Sequence, residues 1–410
     1  MQRTIYEYEE IKEDYKKLRT HIINNASLHK YFTQDWGKVK ASQYCGILNF
    51  NNQDYYILPK IVNHNDEKDA EQNLNIFIYM LMYAYEVKLL NEDTSLSENL
   101  KSDNILEVFV QMFANGLLQE LKKGMYKKYI TEQDNLSVLK GKYLINENLK
   151  YNFIKNKIYC EYDEFSPNNE LNQFFLYAVK YLQKFVKDKK LLKQCELIFD
   201  EVEYKSVDIN KLNIHFDRLN VRFKTSFEVA ILLLKQSIPL FNQDKKSFAF
   251  LFDMNVLFEK FIARIVKEEF DDVEIPKGYK SFGGLNLKPD IIIKSKNLII
   301  DCKYKIIKED KIANRNDRYQ MYVYANNFEN QKGVNYNTML LYPKHLDVID
   351  DNITLGENDK KVVLKMKSIG LNFNMNYKEY IEKIKYKRVT SKSEKQSLPN
   401  NQYYYDTNLL

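Results

Sequence analysis

Asp290, Asp301 and Lys303 are the residues of this chain whose types and spacing could do chemistry. Two carboxylates are hard oxygen donors of the kind Mg²⁺ prefers, and an ammonium beside them can position or activate a water. Together they suit hydrolysis of a phosphodiester. The backbone carbonyl of Cys302 could supply a further oxygen ligand. Asp290 opens the apolar run Ile291-Ile292-Ile293, and Asp301-Cys302-Lys303 closes the run that begins Leu298-Ile299-Ile300. Lys294-Ser295-Lys296-Asn297 between them has the composition of a turn, so two adjacent antiparallel strands are expected. Alternation along a strand puts Asp301 and Lys303 on one face and Cys302 on the other. An acidic residue two before a lysine also occurs at Asp14-Tyr15-Lys16, Glu86-Val87-Lys88 and Glu203-Tyr204-Lys205. The bare spacing therefore equally describes a solvated, charged strand end; what distinguishes this instance is its flanks.

Upstream, Asp253 can cap a helix whose apolar residues Met254, Leu257, Phe258, Phe261, Ile262 and Ile265 fall at helical spacing. At 100° per residue Glu259 lies just off the edge of that stripe, where it could reach the rim of a packed sheet or simply face solvent. Downstream, residues 316–325 read as a second helix with Gln320 and Tyr324 one turn apart on one face. Met339-Leu340-Leu341-Tyr342-Pro343 then supplies a buried strand, and Val362–Met366 another.

Pro289-Asp290 followed by Asp301-Cys302-Lys303 resembles the motif of the PD-(D/E)XK nuclease superfamily. The resemblance implies a restriction-endonuclease-like domain, a mixed sheet flanked by helices. Asp290, Asp301 and the Cys302 carbonyl would be its metal ligands, with Lys303 and Glu259 catalytic. Gln320-x-x-x-Tyr324 is similar to the motif of RecB-like nucleases, which implies a substrate-binding pair holding a phosphate or base.

The 410 residues exceed one ordinary domain, and 44% hydrophobic content is enough for real cores. Lys and Arg number 62 against 56 Asp and Glu, a net charge of +6 that permits nucleic-acid contact without requiring it. Cys45, Cys160, Cys195 and Cys302 have no CxxC spacing, which argues against structural zinc. The start at Met1-Gln2-Arg3-Thr4 runs straight into Tyr6-Glu7-Tyr8-Glu9-Glu10 with no signal peptide pattern, so the cytoplasm is expected. The apolar segments 74–85 and 229–234 are too short to cross a bilayer.

In chain order, Tyr44–Leu48 and Tyr55–Pro59 read as a hairpin, and a helical pattern follows from Leu74 to about Tyr129, interrupted by a polar loop at 91–102 with Asp103 as a helix cap. Leu139–Tyr143 and Tyr159–Phe165 frame a second β region; Ser166-Pro167-Asn168-Asn169 breaks the chain before further helices toward Phe241. The polar stretch 242–246 reads as the connection into the nuclease part. The expected architecture is α+β or α/β multidomain: 1–150 a β-rich and helical docking region, 151–242 a helical connection, 243–390 the nuclease, 391–410 a polar tail.

The wider pattern resembles the McrC family of McrBC-type 5-methylcytosine-dependent restriction systems. Gly46-Ile47, Ile57-Leu58-Pro59-Lys60-Ile61, Leu139-Lys140-Gly141-Lys142, Glu161-Tyr162-Asp163-Glu164 with Asn172, and Asp253-Met254-Asn255 with Leu257-Phe258-Glu259 carry that resemblance over about residues 40–345. It implies an endonuclease subunit for double-stranded DNA, dependent on Mg²⁺ with Mn²⁺ able to substitute. Its partner would be a separate hexameric AAA+ GTPase of McrB type, whose hydrolysis it stimulates. The chain has no Walker A sequence, so it would bind no nucleotide itself. A self-sufficient RecB-like nuclease and a noncatalytic adaptor that only stimulates a motor are the competing readings.

Overall fold

The computed structural model describes residues 3–36, 38–51, 53–61, 67–85, 105–152, 156–242, 245–278, 280–282, 284–305, 314–328, 335–345, 348–357 and 361–371. The expected loop at 91–102, the Asp103 cap and the tail 391–410 lie outside these residues. The chain forms two compact units, one of residues 1–105 and 237–410, the other of 106–236. The result is a mixed α/β architecture with several sheets. No helix among the described residues is long and apolar enough to cross a membrane.

The first unit contains a five-stranded sheet built from both ends of the sequence. Its strands are β1 (Arg3–Tyr6), β2 (Tyr44–Phe50), β3 (Gln53–Leu58), β4 (Ser237–Asn242) and β5 (Lys245–Asp253), in the order β1-β3-β2-β5-β4. The β2–β3 hairpin pairs Gly46 with Ile57, as the alternating apolar runs predict. β1 adds in parallel to β3, and β5 lies antiparallel to β2 with Asp253 opposite Tyr44. Within the polar stretch expected to link two domains, Asn242 instead ends β4 and Lys245 begins β5, and the two residues pair antiparallel. The boundary expected at 242/243 thus falls inside a hairpin of the N-terminal sheet. Gly46, at φ +146°, lies against β5: a Cβ there would lie 2.1 Å from the Phe250 carbonyl oxygen, so only glycine fits.

β5 runs directly into α2 (Met254–Glu269), which follows the earlier helix α1 (Glu67–Ala84) in the chain. Asp253 caps α2, accepting from the Asn255 N–H at 2.9 Å. Of the predicted stripe, Met254, Leu257, Phe258, Phe261 and Ile262 are buried and Ile265 is half-buried, and the helix packs on α1.

A second sheet follows, from β6 (Val273–Glu274), β7 (Ile291–Ile293), β8 (Leu298–Cys302), β9 (Asn337–Pro343), β10 (Asp350–Leu355) and β11 (Val362–Ile369), in the order β6-β7-β8-β9-β11-β10. β7 and β8 are the predicted antiparallel hairpin, with Ile291 opposite Ile300, and Asn297 closes the turn at φ 49°. β8 and β9 are parallel, which requires a crossover, and α3 (Arg315–Asn327) lies on that connection. Ile292, Ile299, Leu340, Leu364 and Met366 share one buried face with Met321 and Tyr324 of α3.

The second unit holds the helices Ile105–Lys122, Glu170–Leu182, Lys190–Ile198 and Lys224–Gln236 around buried Phe109, Phe113, Phe174, Phe175 and Phe223. The break at 166–169 ends in Asn169, which caps the helix at Glu170. A three-stranded antiparallel sheet, ordered Lys128–Leu136, Ile158–Ser166, Lys142–Tyr143, completes it.

Candidate active site

The pleat of β8 decides where each motif residue points. Ile299 and Asp301 face α3, whereas Ile300 and Cys302 face the other way. Asp301 is accordingly found against α3, almost fully buried. Lys303, two positions on, reaches the same place: its Nζ lies 2.6 Å from Asp301 Oδ2 and donates to Gln320 Oε1 at 2.9 Å. Gln320 Nε2 in turn donates to the Tyr324 hydroxyl at 2.9 Å and approaches Asp301 Oδ1 at 3.4 Å. The Tyr324 hydroxyl donates to the Lys288 carbonyl at 3.0 Å, just before Pro289-Asp290. The one-turn spacing of Gln320 and Tyr324 therefore produces a continuous chain of hydrogen bonds that joins α3 to both halves of the motif.

Asp290 enters from the start of β7. Its Oδ2 accepts from the Cys302 N–H at 2.7 Å, which fixes the carboxylate to the neighbouring strand. Glu259 projects from α2, half-buried, and shares electrostatic interactions with Asp290 and Asp301. The three sequence-predicted carboxylates thus act on one another.

Their titration records that crowding. Burial pushes Asp290 up, and the Asp301 and Glu259 charges add to the shift against the Cys302 N–H and Lys303. Burial also raises Asp301, with Lys303 opposing it. Glu259 rises through burial, partly offset by Lys288 and reinforced by Asp301. Burial works against the charge of Lys303, but Asp301, Asp317 and Asp290 together outweigh it and the ammonium is stabilised.

The cluster has the chemistry of a cation site short of positive charge. Asp301 Oδ2 is buried without a hydrogen bond of good geometry; the close Lys303 ammonium is an ion-pair contact by distance alone. Among the described residues no three His, Cys, Asp or Glu side chains already converge as a metal cage. The donors that fit Mg²⁺ are two carboxylates and a backbone oxygen, with waters completing the shell, which is how this ion commonly binds.

Sequence reasoning missed two neighbours. Asp317, buried in the first turn of α3, pairs with Lys305 at 2.8 Å and acts electrostatically on Asp301 and Lys303. Its signal was available: Lys305 continues the alternation of Asp301 and Lys303. Glu7 is the second, and it is buried against Tyr304 through contacts that no local pattern announces.

A family model described as McrBC 5-methylcytosine restriction system component matches residues 39–343. No protein of curated function has a significant sequence match to this chain. Among solved structures, the chain is similar to one from the refined half-complex of a tetradecameric assembly of Thermococcus gammatolerans McrB AAA+ hexamers with bound McrC. The identity is 22% and the TM-score 0.59, over 94% of this chain and 100% of that one, a likeness of fold. The cryo-EM structure of the Thermococcus gammatolerans McrBC complex is also similar, at 24% identity and TM-score 0.46, over 65% of this chain and 87% of that one. The family match spans most of the sequence and takes in Glu259, Asp290, Asp301, Lys303, Gln320 and Tyr324, so this chain belongs to the McrBC 5-methylcytosine restriction system component family.

Proposed function

We propose that this chain is the McrC-type nuclease subunit of a McrBC-type restriction system. In this reading it is a Mg²⁺-dependent PD-(D/E)XK endonuclease that cuts double-stranded DNA together with a hexameric AAA+ GTPase of McrB type and stimulates that partner's hydrolysis. The observation that carries it is the Lys303 ammonium held between Asp301 and Gln320, on a strand whose Cys302 N–H is gripped by Asp290. Support also comes from the order of elements, with Glu259 on α2 ahead of the β7–β8 hairpin and α3 behind it.

Asp290, Asp301 and the Cys302 carbonyl would hold Mg²⁺, or Mn²⁺ on the same oxygens. When bound, the metal supplies Lewis-acid stabilisation of the charge that builds on the phosphate and makes its water more acidic. Lys303 has a remaining N–H to orient the attacking water or a phosphate oxygen. Gln320 holds Lys303 on that aim, and Tyr324 holds Gln320 and the Lys288 carbonyl. Any contact of this pair with substrate is made from that braced position. Glu259 adds a third negative group at the rim, suited to orienting a water or Lys303.

The partner surface is inferred to be the three-stranded sheet of the second unit. Tyr129, Val138, Leu139 and Phe165 are exposed there, with the Tyr129 and Phe165 rings 5.1 Å apart. Water-facing aromatic and aliphatic groups of this kind suit the core of a protein interface. The likeness to a chain bound to McrB AAA+ hexamers supports an AAA+ occupant. This surface straddles the border expected at residue 150.

Cleavage of cytosine-methylated and unmethylated plasmid by the full chain, with its AAA+ partner, GTP and Mg²⁺, tests the reading. Asp301→Asn should abolish cutting and leave partner hydrolysis intact, whereas Tyr129→Asp should lower the stimulation of hydrolysis. Undiminished cutting by Asp301→Asn would remove the central claim. Robust cutting without the partner would favour a self-sufficient nuclease; stimulated hydrolysis with no cutting by the wild type would favour an adaptor.

A further inference from the structure

Glu7 follows β1 and lies 1% exposed, which is rare for a glutamate unless its carboxylate is paired. Its Oε1 accepts from the Tyr304 hydroxyl at 2.7 Å and from the Lys60 N–H at 2.8 Å, and its Oε2 faces Cys45 Sγ at 4.0 Å. Its backbone N–H donates to the Leu58 carbonyl at 3.0 Å, and Tyr8, at φ 60°, turns the chain away immediately afterwards. The carboxylate is therefore fixed from both sides before it meets Tyr304.

Tyr304 links that carboxylate to the active site in two ways. It is covalently next to Lys303, and the pleat sends the two side chains to opposite faces, Lys303 toward α3 and Tyr304 toward α2. Its ring packs on Phe258 at 6.0 Å between centroids, and Phe258 precedes Glu259. One buried phenol thus abuts the element carrying Lys303 and the element carrying Glu259.

We infer that Glu7 is a positioning residue for the motif strand: through Tyr304 it clamps the end of that strand to the N-terminal sheet, so that the placement of Lys303 depends on residues almost 300 positions away in sequence. The Oε1 acceptor is what the clamp needs, and a tyrosine whose hydroxyl is held by it at 2.7 Å is tied to the N-terminal sheet. The catalytic half of this inference rests on the nuclease reading above, but the mechanical half does not.

Hydrogen exchange of the Lys303, Tyr304 and Lys305 amides in the full chain measures the clamp without needing activity. Glu7→Ala should speed their exchange by roughly tenfold or more, Tyr304→Phe should do the same while keeping the ring, and Glu7→Gln, which retains the Oε1 acceptor, should remain near wild type. In plasmid cleavage with the AAA+ partner, Glu7→Ala and Tyr304→Phe should lower kcat with KM for DNA unchanged, and Glu7→Gln should restore it. Unchanged exchange in Tyr304→Phe, whether or not Glu7→Ala folds, would overturn the clamp. Faster exchange without a fall in kcat would overturn its catalytic role. A wild-type chain that cuts nothing would sink the nuclease reading and the catalytic half with it, while the exchange data would still decide the clamp.

Discussion

The buried carboxylate of Glu7 should impose a pH dependence on stability that a single isosteric change removes. Burial is the main cause that pushes its pKa from 4.5 up to about 7, against the lowering effects of the Lys60 N–H, the Tyr304 hydroxyl and the Lys60 charge. Cys45 and Tyr8 also face it, and a small cavity beside it is lined by Lys305, Lys344 and His345. Because the folded carboxyl holds its proton more tightly than the unfolded one, folding takes up a proton between these two pH values. Stability should then fall as pH rises from 4.5 through about 7 and level off above. At about 1.4 kcal/mol per pH unit, the penalty above neutrality is on the order of 3 kcal/mol. Glu7→Gln keeps shape and acceptor but never charges, so it should match wild type near pH 5 and exceed it by about 2–3 kcal/mol at pH 8. Denaturant titrations of both proteins by circular dichroism at pH 5, 6, 7 and 8 give the comparison, and the difference between them cancels every other titrating group. Parallel stability curves across that range would show that Glu7 is hydrated or compensated, and would refute the argument.

Three further outcomes are expected. Gln320→Ala should release Lys303 and lower the single-turnover cleavage rate by about 10–100-fold, less completely than loss of Asp290 or Asp301. Tyr324→Phe removes the hydrogen bonds to the Lys288 carbonyl and from Gln320 and should cost about 1–2 kcal/mol in thermal denaturation, with a milder loss of cutting. Gly46→Ala would drive a methyl into the Phe250 carbonyl and should destabilise the first unit by at least about 2 kcal/mol, seen as a lowered Tm while helices of the second unit persist.

What was legible in the sequence was mostly local. The β7–β8 hairpin, the Asp253 cap, the apolar stripe of α2 and the one-turn pairing of Gln320 with Tyr324 all follow from periodicity or turn chemistry within a dozen residues. The site could be assembled on paper because its parts sit close together in sequence. The course of the chain between 237 and 253 was not legible, because a polar hairpin turn and a polar linker have the same composition and only the distant partner β2 distinguishes them. Glu7 was hidden for the opposite reason. Its neighbours Tyr6, Tyr8, Glu9 and Glu10 make it look like part of a solvated charge run, and the groups that bury it come from residues 45, 60 and 304.

The return of β5 to β2 has a consequence for synthesis. β2 and β3 emerge early from the ribosome, but the strand that covers the free edge of β2 is not made until residues 245–253. At translation rates of about 5–20 residues per second, that edge stays open for about 10–40 s while the whole second unit is produced and free to fold. An open, apolar strand such as Tyr44–Phe50 is a template for pairing with other chains during that interval. Slow codons or a pause before residue 237 would lengthen the exposure, and holdase chaperones would be needed most there. Division of the gene between residues 242 and 245 would make the delay permanent, leaving four strands of the sheet in one product and β5 alone in the other.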